Sequence, residues 1–162
     1  MALNAYLTIK GQKQGDIRGS VTQKGRESSI QVHSFSHEIL ISRDAASGLP
    51  TGKRTHKGFV ILKEVDKSSP LLWNALVENE NLAEWTLDFW EVSATALEKR
   101  IYSINLTNAS IASMRESMLD NEDAANAEYT LLEEISFTYQ RIEWVWIDGD
   151  ISAQDNWEPS VT

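Results

Sequence analysis

The sequence predicts a mainly β protein, a curved sheet or barrel with one short α-helix and an extended loop or hairpin. Three observations lead there. Apolar residues recur at period two in one segment after another, the spacing of a strand face. One segment alone carries a helix signature, and the stretch from residue 42 to 58 has almost nothing large and apolar to bury.

The chain is organised around Glu128 to Gly149, EYTLLEEISFTYQRIEWVWIDG. Ile135, Phe137 and Tyr139 share one strand face. Ile142, Trp144 and Trp146 continue at period two in the opposite phase. Either a β-bulge near Gln140–Arg141 resets the faces, or one long strand is covered on both sides. Both readings make it a long central strand of a curved sheet or barrel.

From the N-terminus, Ala5, Leu7 and Ile9 alternate as a first strand ending at Gly11. Ile17 and Val21 flank Gly19 in a second, where glycine marks a bulge, a bend or a close backbone approach. Gly25 to Ser28 is a turn. Ile30 and Val32 begin a third strand that breaks at His33-Ser34 and resumes at Ile39 and Ile41. These are short strands without a βαβ alternation. The stretch SRDAASGLPTGKRTHKG reads as a long loop or hairpin extension, and its Lys53, Arg54, His56 and Lys57 form a basic patch.

Phe59 and Ile61 start a strand that ends near Val65. Ser68-Ser69-Pro70 then opens a helix, with a hydroxyl as cap and proline in the first turn. Leu72, Ala75 and Leu76 form its apolar face and Asn79 or Asn81 ends it, so this helix covers an open end of the barrel. Trp85, Leu87 and Phe89 line one side of the next strand, with Trp90 and Val92 on the other. Tyr102, Ile104 and Leu106 follow as a strand, residues 107–110 as a bend, and Ile111 to Met114 as a further pairing segment. Glu116 to Glu128 is an acidic connection with helical turns. After the organising stretch come a turn at Asp148-Gly149-Asp150, a short strand near Ile151 and a tail with Trp157 and Pro159. No repeat or linker divides residues 1–162, which predicts a single domain.

Composition excludes several chemistries. The 162 residues contain no cysteine, so disulfides and thiolate chemistry are out. Nothing resembles a cleaved signal peptide, and no apolar run reaches membrane-spanning length. The formal charge of −9 is uneven. Residues 1–60 hold nine Lys/Arg against four Asp/Glu, or +5, and residues 61–162 hold six against twenty, or −14. The halves attract, within one fold or between copies. Dispersed basic residues in an acidic chain argue against nucleic acid.

Individual motifs for catalysis or ligands fail on spacing. His33 and His37 lie about 13 Å apart on an extended chain, too far for one metal. Gly48 to Arg54 resembles a phosphate loop, but it has three residues between its glycines where four are needed, and Arg54 stands where Ser/Thr belongs. The Asp148/Asp150 pair lacks the further ligands of a calcium loop. No Gly-x-Ser-x-Gly elbow is present. The tryptophans are read as core and subunit-interface packing in preference to a ligand platform. No cofactor, metal or catalytic residue is expected.

The ordered set of segments, rather than any one of them, resembles the haemolysin-coregulated protein (Hcp) family, the tube proteins of bacterial type VI secretion. The set comprises ALNAYLTIKGQKQGDIRGSV, Ser47 to Lys57 leading to Phe59, Lys67 to Leu72, and Glu134 to Tyr139 followed by Ile142-Glu143-Trp144. Residues 43–46 and 114–117 depart from the family pattern. The resemblance implies a small β-barrel of two packed antiparallel-rich sheets with one short helix, assembled as a homo-hexameric ring with a central channel. It further implies stacked rings, a VgrG-type spike, a contractile sheath, small effector cargo, and passage from the cytoplasm to the exterior without a cleaved signal. Lys53, Arg54, His56 and Lys57 would then make stacking or lateral contacts, and Trp85, Trp90, Phe137, Tyr139, Trp144 and Trp146 would build the barrel or its interface. The competing readings are a contractile-phage tail-tube protein, a Trp-rich ligand-binding module, and an enzyme using His33 or His37 with a carboxylate.

Overall fold

The computed structural model describes residues 3–128 and 130–158. Tyr129 of the organising stretch and Pro159 of the tail lie outside the described residues. The fold is mainly β with one α-helix, and its strands form three antiparallel sheets, none of which closes on itself among the described residues.

The largest sheet has seven strands. Its centre is β1 (Leu3–Gly11), paired on one side with β8 (Leu82–Val92) and on the other with β2 (Gly15–Ile17) and β3 (Ile30–Val32). Beyond β8 lie β9 (Glu98–Thr107), β12 (Arg141–Trp146) and β13 (Ile151–Asn156). The second sheet has four strands in the order β10 (Ser110–Met118), β11 (Leu131–Thr138), β7 (Phe59–Glu64) and β4 (Ser34–Ser36). The third is a hairpin of β5 (Ile39–Arg43) and β6 (Pro50–His56). The 42–58 segment is therefore mostly strand. Its turn is tied by Asp44, whose carboxylate accepts from the Ser47 amide at 2.8 Å and hydroxyl at 2.7 Å, with Gly48 at φ 72°.

The two larger sheets bury their apolar faces against each other. Leu7, Trp85, Leu87, Ile104 and Ile142 from the first meet Phe59, Ile61, Ile135 and Phe137 from the second in one core cluster. Trp85 joins the layers directly, its ring edge-on to Phe59 at 4.9 Å and to Phe137 at 5.4 Å.

The phase change in the organising stretch has a third explanation, neither bulge nor double coverage. β11 belongs to the four-stranded sheet and β12 to the seven-stranded one, with Tyr139-Gln140 crossing between them. A strand that changes sheet must turn its other side inward to keep facing the same core. Two other segments cross likewise. β3 and β4 are separated only by His33, whose amide donates to the Leu62 carbonyl at 2.8 Å, and β9 passes to β10 through Asn108 at φ 51°. At Gly19 an added Cβ would lie 2.3 Å from the Ser29 carbonyl, the close backbone approach that its sequence position suggests.

Two boundaries differ from expectation. The supposed acidic connection is strand as far as Met118, which pairs with Leu131, and only Ala124–Asn126 forms a 3-10 turn. Exposed side chains on both sides of β10 hide its period. The helix α1 (Ser69–Val77) begins with proline in its first turn and buries Leu72 and Ala75, but the Ser68 hydroxyl does not cap it. That hydroxyl bonds the Asp66 carboxylate, which also accepts from the Ser68 amide at 2.9 Å.

Beneath α1 lies a buried ion pair. Lys63 and Glu133 are cross-strand partners on β7 and β11, and both are fully buried. The Lys63 ammonium also reaches Asp66 at 3.2 Å and Ser69 Oγ at 3.3 Å, while Ser69 Oγ donates to Glu133 at 2.7 Å. The pair thus links two strands to the helix start. Removing one member leaves a buried uncompensated charge, which costs about 3–5 kcal/mol, whereas an apolar replacement of both is nearly neutral. Lys63→Met, which takes the ammonium away from Glu133, should lose that much in urea unfolding, and adding Glu133→Leu should recover most of it. Equal losses in the single and double variants would show that the charges do not act as a pair.

Candidate functional site

The basic segment singled out in the sequence is now the hairpin β5–β6. Among the described residues, neither of its strands pairs with any third strand. Residues 49–53 are exposed, as are Thr55 and Lys57. It is a projection whose shape depends on its own hydrogen bonds and on its anchorage.

The four basic residues divide in two. Lys53 and Lys57 are exposed. Arg54 is half-buried and grips Asp155 of β13 with two donors, Nη2 to Oδ1 at 2.7 Å and Nε to Oδ2. His56 is buried, with Nε2 at 2.8 Å from Asp155 Oδ2 and Nδ1 at 2.7 Å from the Tyr139 hydroxyl. On its far side that hydroxyl also meets His37 Nε2 at 2.7 Å. Trp157 closes the group, stacked on His56 at 5.7 Å and edge-on to Tyr139 at 4.9 Å.

Charge and burial shape these groups. Hydrogen bonds from Arg54, and secondarily from His56, hold the Asp155 carboxyl below its ordinary range. Burial pushes the Tyr139 hydroxyl well above the ordinary phenol value, and the Asp155 charge adds to it. Burial lowers His37, and the proximity of His56 lowers it further.

The six aromatic residues named from sequence do not form one surface. Trp85, Phe137 and Tyr139 are buried in the core. Trp90 and Trp144 are half-buried. Trp90 lies under the Arg26 guanidinium at 4.3 Å, and Arg26 continues to Glu98. Trp146 is exposed beside its strand partner Ile151, an apolar pair at the end of β12–β13. Met118 and Leu131 make a second exposed pair at the end of β10–β11.

Sequence reading missed Asp155, His37 and Trp157 as members of the anchorage. No local pattern points to them, because their partners lie about a hundred positions away: 99 from His56 to Asp155 and 102 from His37 to Tyr139. The charge asymmetry was the one available signal. Arg26–Glu98 and Arg54–Asp155 both join the basic early half to the acidic later half within the chain.

Comparison with known proteins gives a consistent result. The family model described as "Type VI secretion system effector, Hcp" matches residues 6–146. The chain is 38% identical over 170 aligned residues to the "Major exported protein" of Pseudomonas aeruginosa, covering 99% of each. In structure it is similar to a protein whose crystal structure is described as "Hcp protein", at a TM-score of 0.90 and 26% identity, with 98% of this chain and 100% of that one covered. It is also similar to the secreted protein Hcp3 of Pseudomonas aeruginosa, at a TM-score of 0.79 and 30% identity, with the same coverage.

The anchorage has a direct test. Asp155→Ala deprives both Arg54 and His56 of their acceptor and should cost about 1.5–3 kcal/mol at neutral pH, the range for hydrogen bonds to a charged group. Because its folded pKa is depressed, the Asp155 contribution is complete above its unfolded value of about 3.9 and is lost as pH falls through the folded one. Urea midpoints should therefore drop more between neutral pH and pH of about 3 in the parent than in the variant. The same drop in both would remove Asp155 from the anchorage.

Proposed function

The chain belongs to the Hcp family of the type VI secretion system, and from that membership we propose that it is a structural, non-enzymatic component of the secretion tube. The observation that carries the reading is the hairpin, a two-stranded projection that pairs with no other strand among the described residues and is fastened at its base by Arg54 and His56. A projection held so firmly at its base yet exposed from Ile41 to Lys53 is suited to reaching a neighbouring subunit.

In this reading residues 1–162 form a single domain, and the two larger sheets act together as the wall of a small barrel. Copies close laterally into hexameric rings, and the rings stack into a tube. Ring closure and head-to-tail stacking each need two unlike faces on a subunit, and the charged pair of faces is assigned to stacking. Lys53 and Lys57 carry positive charge outward on the hairpin, while the connection after β10 offers Asp120, Glu122 and Asp123 on an exposed surface. Trp146 with Ile151 and Met118 with Leu131 are apolar pairs available for lateral packing. Arg54 and His56 support the contact by holding the hairpin rather than by touching the neighbour.

The subunit is made in the cytoplasm and leaves through the apparatus without a cleaved signal. A contractile sheath drives the tube beneath a VgrG-type spike, with small effectors enclosed in the lumen. Function is mechanical, so the relevant energies are those of subunit contacts.

Light scattering on the purified protein, with negative-stain images of the same peak, should show rings of about six chains, the number the family membership implies, closed through a heterologous interface. Lys53→Glu with Lys57→Glu should leave the ring mass unchanged and abolish stacking. Trp146→Ala should lower the ring mass without lowering the urea midpoint. A stable monomer at micromolar concentration would overturn the tube reading and favour a ligand-binding module.

A further inference from the structure

The hydrogen-bonded row His37, Tyr139, His56 and Asp155 does more than fasten the hairpin. With both imidazoles neutral, its polarity is set from one end. Asp155, ionised and gripped by Arg54, can only accept, so His56 Nε2 carries a proton and donates to it. Neutral His56 then has a bare Nδ1, which takes the Tyr139 O–H, and the Tyr139 oxygen accepts from His37 Nε2–H. In this state every donor has one acceptor.

We propose that this row is a proton-set clasp: it holds the β5–β6 hairpin against β13 with no added proton or with one, and a second proton releases the hairpin. The inference rests on the hairpin role argued above and adds its regulation.

The first proton is taken up without loss of any bond. It enters at His37 Nδ1, the ring nitrogen not engaged with Tyr139; His37 is half-buried and lines a shallow depression with Glu38, Lys57 and Ser136. The His37 Nε2–H bond breaks as that proton passes to the Tyr139 oxygen, and the Tyr139 O–H bond breaks as its proton passes to His56 Nδ1. One proton has been gained in all, and it rests on the imidazole facing Asp155. The row now runs in reverse, His56 Nδ1–H to Tyr139 and Tyr139 O–H to His37 Nε2. His56 has become the cation of an ion pair with Asp155.

A second proton has no such place. Both His37 Nε2–H and His56 Nδ1–H would point at the Tyr139 oxygen, and the hydroxyl proton of a buried tyrosine would lose its acceptor. Two imidazolium rings would then flank one phenol, with Arg54 on β6 and Lys57 beside the depression adding positive charge. Against these stand Asp155, already shared with Arg54, and Glu38 at the rim. The Trp157 ring over His56 offers no acceptor for the displaced proton. The lowering of His37 by burial, and further by His56, agrees with charge on both rings being resisted.

The test is a titration of the full chain from about pH 7.5 to about pH 4.5, the range in which imidazoles change charge. It combines NMR of carbon-13-labelled histidine rings, hydrogen exchange of the 50–56 segment, and ring mass and tube length on the same samples. Expected are simultaneous shifts of His37 and His56 on the first proton with the hairpin still protected. A second step at lower pH should raise hairpin exchange about tenfold after correction for intrinsic rates. His37→Gln keeps a donor toward Tyr139 but cannot take the second proton, so its hairpin should stay protected through that step. In Tyr139→Phe the two rings should shift independently. Independent shifts in the parent, or equal hairpin release in the parent and His37→Gln, would overturn the clasp. If the hairpin is released while tubes persist, the clasp stands and the docking role of the hairpin falls. If tubes come apart with the hairpin protected, the clasp falls and the docking role stands.

Discussion

The structure depends on one contact between its layers, Trp85 of the seven-stranded sheet wedged edge-on to Phe59 and Phe137 of the four-stranded sheet. Neither sheet has another apolar partner large enough to cover its inner face, so the two must meet there. Burying a ring of this size removes well over a hundred square ångströms of apolar surface from water. The position also carries a cost, since the Trp85 indole N–H has no hydrogen-bond partner among the described residues. The geometry of the pair sets the rest: segments that leave one sheet must turn at a corner to enter the other, and β3–β4, β9–β10 and β11–β12 all do so.

Around this apolar centre the charges are arranged to specify position. Lys63 and Glu133 are buried together under the start of α1, where a misplaced helix would strand both. Arg26 lies between the rings of Tyr6 and Trp90 and reaches Glu98, which fixes the long 18–29 connection over the main sheet. Arg54 and Asp155 fix the hairpin. In each case the partners lie far apart in sequence, and Arg26–Glu98 and Arg54–Asp155 join the basic early part of the chain to the acidic later part. What remains outside, Lys53 and Lys57 on the hairpin and the acidic residues after β10, is available to neighbours.

In the proposed tube, the hairpin is the place where stability and assembly meet. A two-stranded sheet without packing on either face is marginal by itself, and an exposed strand edge invites unwanted pairing. Lysine along the edge discourages the second hazard, while the histidine, tyrosine and aspartate row at the base compensates for the first. A tube subunit in which the hairpin docks on the next ring would gain from such a base, because a preordered projection loses less conformational entropy on docking. The histidine, tyrosine and aspartate row gathers where the projection is fastened, apart from the buried Lys63–Glu133 pair under α1.

Much of this was legible in the chain. Period-two apolar residues located β1, β7, β8, β9 and β11 and identified their inward side chains, because burial of one face leaves an alternating trace. Proline after two serines, followed by Leu72 and Ala75, located the helix. The glycine-rich basic stretch marked the projection. The sequence could not say which sheet a strand joins: the phase change after Tyr139 is equally a bulge, a covered strand or a corner until the partners of β11 and β12 are known. Nor could it show that Lys53 points outward while Arg54 and His56 are spent on Asp155. Alternation is a local consequence of backbone geometry, whereas sheet membership and the pairing of residues 54, 56, 139 and 155 are set by long-range register, which only the closed tertiary structure decides.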